Sequence, residues 1–223
     1  MLDFAKARRL MVDTQLRTFD VNDLALLAAF DEVPRERFVP LGRESLAYID
    51  QAIPVSEGLE AAERRFMLAP AVLARMIQSL AVDRGARVLD VGCGLGYSSA
   101  VLARLGALVV ALESDERIGD EARGRLAVAR AEAVVTAVGP LERGYPEAAP
   151  YDAILVNGAV EVRPQALLEQ LGDGGRLVCV EGRGRSASVT LYVRAGQVFG
   201  ARPLFDAAAP LLPGFRKEPG FVF

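Results

Sequence analysis

The sequence predicts an α/β protein with a mostly parallel seven-stranded sheet, a C-terminal antiparallel hairpin and an N-terminal helical extension. After residue 86, short apolar runs alternate with helical patterns, which is typical of a parallel sheet buried on both faces. Two final runs are joined by Ala195-Gly196, which predicts a tight turn. Residues 1–81 are predicted to form a helical extension that covers one side of the cleft, and residues 82–223 the core; together they are expected to form one compact unit.

Three helices are expected in the extension. Residues 4–16 carry apolar side chains at three- and four-residue spacing. A second helix, capped by Asn22 or Asp20, ends before Val33-Pro34 and carries Leu24, Leu27 and Phe30. A third begins near Pro70, because proline suits the first helical turn, where its missing N–H is not needed.

The core alternates between strands and helices. The predicted parallel strands are Arg87–Val91, Leu108–Leu112, Ala133–Val138, Ala153–Val156 and Arg176–Val180. The predicted helices between them are Ser98–Leu105, Glu116–Ala131 and Pro164–Leu171. The hairpin pairs Ser188–Arg194 with Gln197–Leu204, and the tail from Asp206 is expected to lie extended on the surface.

Composition excludes several classes of chemistry. The chain has no histidine, so it has neither a Ser-His nor a Cys-His nucleophile pair and no imidazole zinc site. A net charge of −3 argues against a surface that coats nucleic acid. No apolar run approaches the ~18 residues that span a membrane, and no signal peptide follows Met1. With two cysteines in apolar or Gly-rich runs, we expect a soluble cytoplasmic protein without a metal site.

The most informative segment follows the first core strand and opens a helix: Asp90-Val91-Gly92-Cys93-Gly94-Leu95-Gly96. A dinucleotide-binding loop would need a glycine at position 97, where the chain has Tyr97, and a phosphate-binding loop would need a lysine near its end, which is absent. The segment therefore matches neither motif. Glycines let a ligand approach the backbone closely, and Asp90 suits a ligand with an ammonium group. A plain β–α turn is the alternative.

Glu113 ends the next strand, where a carboxylate can accept hydrogen bonds from both hydroxyls of a ribose. A surface glutamate is the alternative for Glu113 alone, but its pairing with Asp90 and the glycine loop favours ligand binding. Asn157-Gly158, at the end of the fourth strand, is either a contact with a bound ligand or a plain turn.

The chain resembles the protein-L-isoaspartate O-methyltransferases, a family of class I S-adenosylmethionine-dependent methyltransferases with a Rossmann-like fold. The resemblance extends to about Leu204 and rests on the glycine loop and on five further blocks: Met11–Arg17, Val33–Pro40, Ala47-Tyr48, Pro146–Val156 and Leu167–Leu171. It implies S-adenosylmethionine (AdoMet) as cofactor and methyl esterification of a carboxylate on damaged, isoaspartyl proteins or peptides, a form of protein repair. No nucleic-acid or membrane partner is expected.

The resemblance also assigns site residues. The expected cofactor contacts are Asp90, Gly92, Cys93, Gly94, Gly96, Glu113, Ser114, Gly139, Pro140, Leu141 and Asn157. The expected acceptor contacts are Arg65, Phe66, Met67 and Leu68, with Asn157 as a further candidate. No catalytic residue is assigned with certainty, since an ionised carboxylate needs no general base.

The sequence departs from the family in three places. Leu68 occupies the position of the family's acceptor-site serine and cannot donate a hydrogen bond. The preceding run, 58–65, is longer and charge-rich; it is either a solvated turn or it places Arg64 or Arg65 over the acceptor as a carboxylate clamp. Gly139-Pro140-Leu141 replaces a Gly-Asp-Gly that meets the adenine, with Glu142 as a possible substitute.

Two alternatives therefore stay open. The acceptor could be a small molecule, because the polar contact has become Leu68. The chain could also be a non-catalytic AdoMet-binding or partner-binding relative that uses Phe215, Phe221 and Phe223 of its tail.

Overall fold

The computed structural model describes residues 3–56 and 64–217. Its helices are α1 (Phe4–Met11), α2 (Leu24–Glu32), α3 (Pro70–Leu80), α4 (Tyr97–Arg104), α5 (Glu116–Val128) and α6 (Gln165–Leu168). Its strands are β1 (Ile53–Pro54), β2 (Phe66–Met67), β3 (Arg87–Val91), β4 (Leu108–Glu113), β5 (Val134–Val138), β6 (Tyr151–Val160), β7 (Leu171–Glu181), β8 (Ser188–Ala195) and β9 (Val198–Asp206).

Within these residues the main sheet has seven strands in the order β5-β4-β3-β6-β7-β8-β9. The first five in this order run parallel, and β8 and β9 add an antiparallel hairpin. This confirms the predicted fold class. The chain leaves β3 toward β4 and β5 on one side and returns to β6 on the other, so a crevice opens beside the carboxyl ends of β3 and β6.

The apolar strand residues form a core on both faces of the sheet. One cluster joins β3, β4 and β6 to the N-terminal helices and includes Leu16, Phe30 and Met76. The other lies on the opposite face and includes Leu89, Ile154 and Leu177. Because extension and sheet share the first cluster, the extension packs directly beside the crevice; its boundary at residue 81 stays a prediction.

Several predicted boundaries need correction. The first helix leaves α geometry at Met11 and continues as a π turn and a 3-10 turn to Phe19. Asp23, rather than Asn22 or Asp20, caps α2 by accepting from the Leu26 N–H at 3.0 Å. Leu24, the first residue of α2, lies on the outer face of the helix, where it is 74% exposed.

In the core, α5 and α6 are shorter than predicted, whereas β6 and β7 are longer. The additional residues of β6 and β7 pair with each other, as Tyr151 does with Leu171, although the apolar pattern of the sequence did not assign them to strands. Strand pairing, which depends on the neighbouring strand, therefore overrides the local pattern.

The C-terminal tail is not merely laid on the surface. Leu212 and Phe215 are buried, which corrects the expectation of an exposed Phe215. The Ala159 N–H donates to Pro210 O at 2.8 Å, and the Leu212 N–H donates to Ala159 O at 3.0 Å. The tail thus adds main-chain hydrogen bonds along the end of β6. Phe221 and Phe223 lie outside the described residues.

Candidate active site

The glycine loop leaves the carboxyl end of β3 and leads into α4. Gly92, Gly94 and Gly96 all have positive φ, at 71°, 55° and 92°. A Cβ on Gly94 would lie 3.1 Å from Val55 Cγ2, and one on Gly96 would lie 3.0 Å from Leu126 Cδ1. Both the backbone conformation and the close neighbours therefore require glycine, and the loop presents bare backbone to the crevice.

Asp90 lies beneath this loop and is fully buried. Its carboxylate accepts hydrogen bonds from Ser98 Oγ at 2.7 Å, from Ser99 Oγ at 2.5 Å and from Asn157 Nδ2. Burial raises the pKa of Asp90 to about 6. Three side-chain donors surround Asp90, which ties the start of α4 to β6. A direct contact between Asp90 and an ammonium group stays a prediction.

Glu113 ends β4 and its side chain is 0% exposed. Oε1 accepts from its neighbour's main chain, the Ser114 N–H, at 2.8 Å, and Oε2 accepts from the Gly94 N–H at 3.1 Å. Arg65 Nε donates to Oε1 at 2.7 Å, and Arg65 Nη2 donates to Ser114 Oγ. A buried ion pair therefore occupies the carboxylate that the sequence assigns to a ribose.

This arrangement bears on both interpretations of the 58–65 run. Arg65 is 3% exposed and hydrogen-bonded to Glu113, so the solvated-turn interpretation is wrong for this residue. Its guanidinium bonds Glu113, the carboxylate predicted to bind the ribose, and a role as a clamp on the acceptor stays a prediction. Arg64 is exposed, and residues 58–63 lie outside the described residues.

Phe66, Met67 and Leu68 form the expected acceptor wall. They line a narrow cleft together with Gly94 and Asn157, and its volume is about 10 Å³. Leu68 is buried, so its side chain presents methyl groups where the family has a hydroxyl. This cleft brings the predicted acceptor and cofactor segments together.

Arg35 supports the wall from behind, a role that the sequence did not reveal. Its Nη2 donates to Leu68 O at 2.6 Å, and its Nε donates to Ala47 O at 2.7 Å. The guanidinium is completely buried and lies 4.7 Å from the centre of the Tyr97 ring. Burial lowers the pKa of Arg35. The only indication of this role in the sequence was that Arg35 belongs to the Val33–Pro40 block of the resemblance.

The end of β5 lies beside Glu113. The Gly139 N–H donates to Glu113 O at 2.9 Å, Pro140 is exposed and Leu141 is buried. Leu212 of the tail packs near both the loop and Leu141: a Cβ on Gly92 would lie 3.1 Å from one and 3.7 Å from the other. The sequence pattern of the tail contained no sign of this contact.

Asn157-Gly158 lies inside β6, not in a turn after it. The register between β6 and β7 shifts between Leu155 and Ala159, which lets Asn157 reach inward to Asp90. A Cβ on Gly158 would lie 2.6 Å from Leu212 Cγ. The plain-turn alternative is therefore wrong, and the position couples the site to the tail.

Cys93 and Cys179 are buried free thiols. Burial raises the pKa of both thiols, so they stay neutral. In residues 3–56 and 64–217, no cluster of three or more His, Cys, Asp or Glu is arranged for a metal ion. Over the same ranges, none of the helices has the length and apolar character needed to cross a membrane.

The crevice fits AdoMet. Bare backbone at Gly94 and Gly96 allows close approach by a nucleoside, and Glu113 is the carboxylate predicted to accept hydrogen bonds from the ribose hydroxyls. Asp90 adds a second carboxylate under the loop, toward which a cationic ligand is attracted.

Comparison with known proteins supports this assignment. The family described as protein-L-isoaspartate(D-aspartate) O-methyltransferase matches residues 6–200. The protein-L-isoaspartate O-methyltransferase of Methylorubrum populi is 42% identical over 216 residues, which cover 96% of this chain and 98% of that protein.

Two solved structures share the fold. A protein-L-isoaspartate O-methyltransferase superposes with a TM-score of 0.81 and 26% identity, covering 92% of this chain and 66% of that one. A Plasmodium falciparum homologue in complex with S-adenosyl-L-homocysteine gives a TM-score of 0.77 at 18% identity and covers 92% and 97%. Together with the family match, the glycine loop and Glu113 identify this chain as an AdoMet-dependent O-methyltransferase that belongs to the protein-L-isoaspartate O-methyltransferase family.

Proposed function

We propose that this chain transfers the methyl group of AdoMet to a carboxylate of isoaspartyl residues in proteins or peptides. The observation that carries the proposal is Glu113, held by main-chain donors beside the glycine loop in a chain of this family. In this proposal the loop glycines, Glu113 and Ser114 hold the nucleoside, with Gly139, Pro140 and Leu141 beside the adenine. Phe66, Met67, Leu68 and Asn157 face the acceptor.

AdoMet supplies an electrophilic methyl group on a positively charged sulfonium when bound. An acceptor carboxylate is already ionised at neutral pH, so no side chain has to remove a proton, which agrees with a chain that lacks histidine. Attack on the sulfonium neutralises opposite charges, and a narrow, apolar cleft lined by Phe66 and Leu68 favours the less polar transition state. The chain's residues contribute mainly by position.

We further propose that the protein works in a reducing, cytoplasmic compartment. Both cysteines are buried as free thiols, Cys93 in the loop after β3 and Cys179 in β7. Damaged proteins of the same compartment would then be its substrates.

The proposal is tested by transfer of a tritiated methyl group from AdoMet to an isoaspartyl peptide, with the peptide of identical sequence and normal aspartate as control. Selective labelling of the isoaspartyl peptide is expected. Binding of S-adenosyl-L-homocysteine without labelling of either peptide would contradict the acceptor and favour the small-molecule alternative. The absence of any such binding would contradict the enzyme assignment of the site.

A further inference from the structure

Arg65 and a cofactor ribose compete for the same carboxylate. Arg65 Nε bonds Glu113 Oε1 at 2.7 Å, while the Gly94 N–H bonds Oε2 at 3.1 Å. A ribose that uses both oxygens of Glu113 has to displace the guanidinium. This step rests on the proposed function, because it takes Glu113 as the ribose acceptor.

Only the side chain of Arg65 has to move. Its N–H donates to Ser56 Oγ at 2.8 Å, and its carbonyl accepts from the Val55 N–H at 2.9 Å. The backbone is thereby anchored next to the β1–β2 pair, where Ile53 faces Met67. The displaced guanidinium therefore stays within a side chain's length of the crevice.

A displaced guanidinium keeps its positive charge beside the crevice, where an anion that approaches is attracted to it. The acceptor cleft is the adjacent space, since Gly94 both lines it and bonds Glu113. The acceptor wall continues directly from Arg65 through Phe66 to Leu68, and Leu68 has no hydrogen-bond donor in its side chain. The anion that arrives there is the acceptor's own carboxylate.

We propose that Arg65 is a specificity-determining residue that pairs with Glu113 before the nucleoside binds and with the acceptor carboxylate afterwards. Arginine suits this exchange, because its planar guanidinium forms paired hydrogen bonds with either carboxylate. The residue thereby compensates for the hydroxyl that Leu68 lacks. It also couples the two binding events, since the acceptor removes the competitor of the ribose.

The test measures binding of S-adenosyl-L-homocysteine by calorimetry, with and without the isoaspartyl peptide, in wild type and in Arg65→Met. Without peptide, Arg65→Met is expected to bind about tenfold more tightly, because the competing state is removed. Saturating peptide is expected to tighten wild-type binding about fivefold and to leave Arg65→Met unchanged.

Methyl transfer gives a second readout. The KM for the isoaspartyl peptide is expected to rise about tenfold in Arg65→Met with kcat within about threefold of wild type, since a charged hydrogen bond to the acceptor is lost. Arg64→Met, at the exposed neighbouring position, is the matched control and should change none of these values. Arg65→Lys keeps the charge without the paired geometry and should fall between wild type and Arg65→Met.

Unchanged or weaker ligand binding in Arg65→Met, or coupling that persists without Arg65, would overturn the proposal while wild-type methyl transfer upholds the proposed function. If Arg65→Met does not fold, Arg65→Lys takes its place, and ligand binding no tighter than in wild type, or coupling as large as in wild type, would overturn the proposal. Wild-type protein that neither binds the ligand nor labels the peptide would overturn both.

Discussion

Asp90 and Glu113 are both completely buried, but their charges are balanced in different ways. Glu113 accepts hydrogen bonds from a guanidinium and from two main-chain N–H groups. Asp90 has only neutral donors, from two serines and Asn157, and burial dominates, raising its pKa to about 6. The protonation of Asp90 is therefore expected to change near pH 6.

The titration of Asp90 is expected to make the stability of the folded chain vary with pH in the mildly acidic range. Its folded pKa of about 6 lies above the ordinary value of 3.8, so the folded chain keeps a proton that the unfolded chain has released. The free energy of unfolding is therefore expected to fall as pH rises from about 4 to about 6, by about 3 kcal/mol. Urea unfolding of wild type and Asp90→Asn across this range measures it. The variant lacks this titration, and parallel curves for the two proteins would contradict the prediction.

The absence of a serine hydroxyl at the position of Leu68 is expected to limit acceptor binding. Leu68→Ser is expected to raise kcat/KM for an isoaspartyl peptide about tenfold, because a hydrogen bond to a charged group contributes about 1.5–3 kcal/mol. The truncation should also cost about 2–4 kcal/mol of stability, since Leu68 is buried.

Leu68→Ala is the matched control for that variant. It makes a similar cavity without adding a hydroxyl, so it should lose stability and gain no activity. Equal activity of the Ser and Ala variants would show that the hydroxyl is not the limiting feature.

At the scale of the elements, β6 and the tail are joined at Gly158. The tail forms hydrogen bonds with both the N–H and the carbonyl of Ala159. The side chain of Leu212, in the tail, packs over Gly158. The irregular register of β6 next to this point also turns Asn157 toward Asp90. The tail therefore stabilises the strand segment that carries an expected acceptor contact.

Gly158→Ala is expected to destabilise the protein by about 1–3 kcal/mol, because its methyl group would lie 2.9 Å from Pro210 O as well as against Leu212. Thermal unfolding measures the effect. Gly124→Ala, in the exposed part of α5 with no atom near a new Cβ, is the matched control. It should stabilise by about 0.5–1 kcal/mol through helix propensity, and a loss at Gly124 equal to that at Gly158 would contradict the packing argument.

At the scale of the whole molecule, ligand binding should be visible as stability. S-adenosyl-L-homocysteine at a hundred times its Kd adds about 2.7 kcal/mol to the free energy of unfolding, which raises the Tm of a domain this size by about 5–10 °C. Glu113→Gln should reduce the shift, because the charged ribose acceptor is lost.

Asp173→Asn is the control for that comparison. Asp173 accepts from the Gly196 N–H at the start of β7, at the opposite end of the sheet, and asparagine keeps an acceptor oxygen there. Its ligand-induced shift should equal that of wild type. An equal shift in Glu113→Gln would contradict the assignment of the ribose.

Local sequence pattern was enough to predict most of the architecture. Apolar runs and helical spacing located β3, β4, β5 and the start of α3, because burial imposes a period on side chains that can be read along the chain. The glycine loop and Glu113 were predictable for a related reason: each is set by its position at the end of a strand. The resemblance to a methyltransferase family then predicted the cofactor, and the family match confirmed it.

Only the tertiary structure decided what these residues contact. Arg65 and Glu113 are 48 positions apart, and Asn157 and Asp90 are 67 apart, so no local period relates them. Their contacts depend on the segment before β2 reaching the end of β4 and on a register shift within β6. The burial of Leu212 likewise depends on the space that Gly158, which has no side chain, leaves beside it. Sequence by itself determined the strands and their ligand-facing ends, whereas packing between distant segments decided which charges meet there.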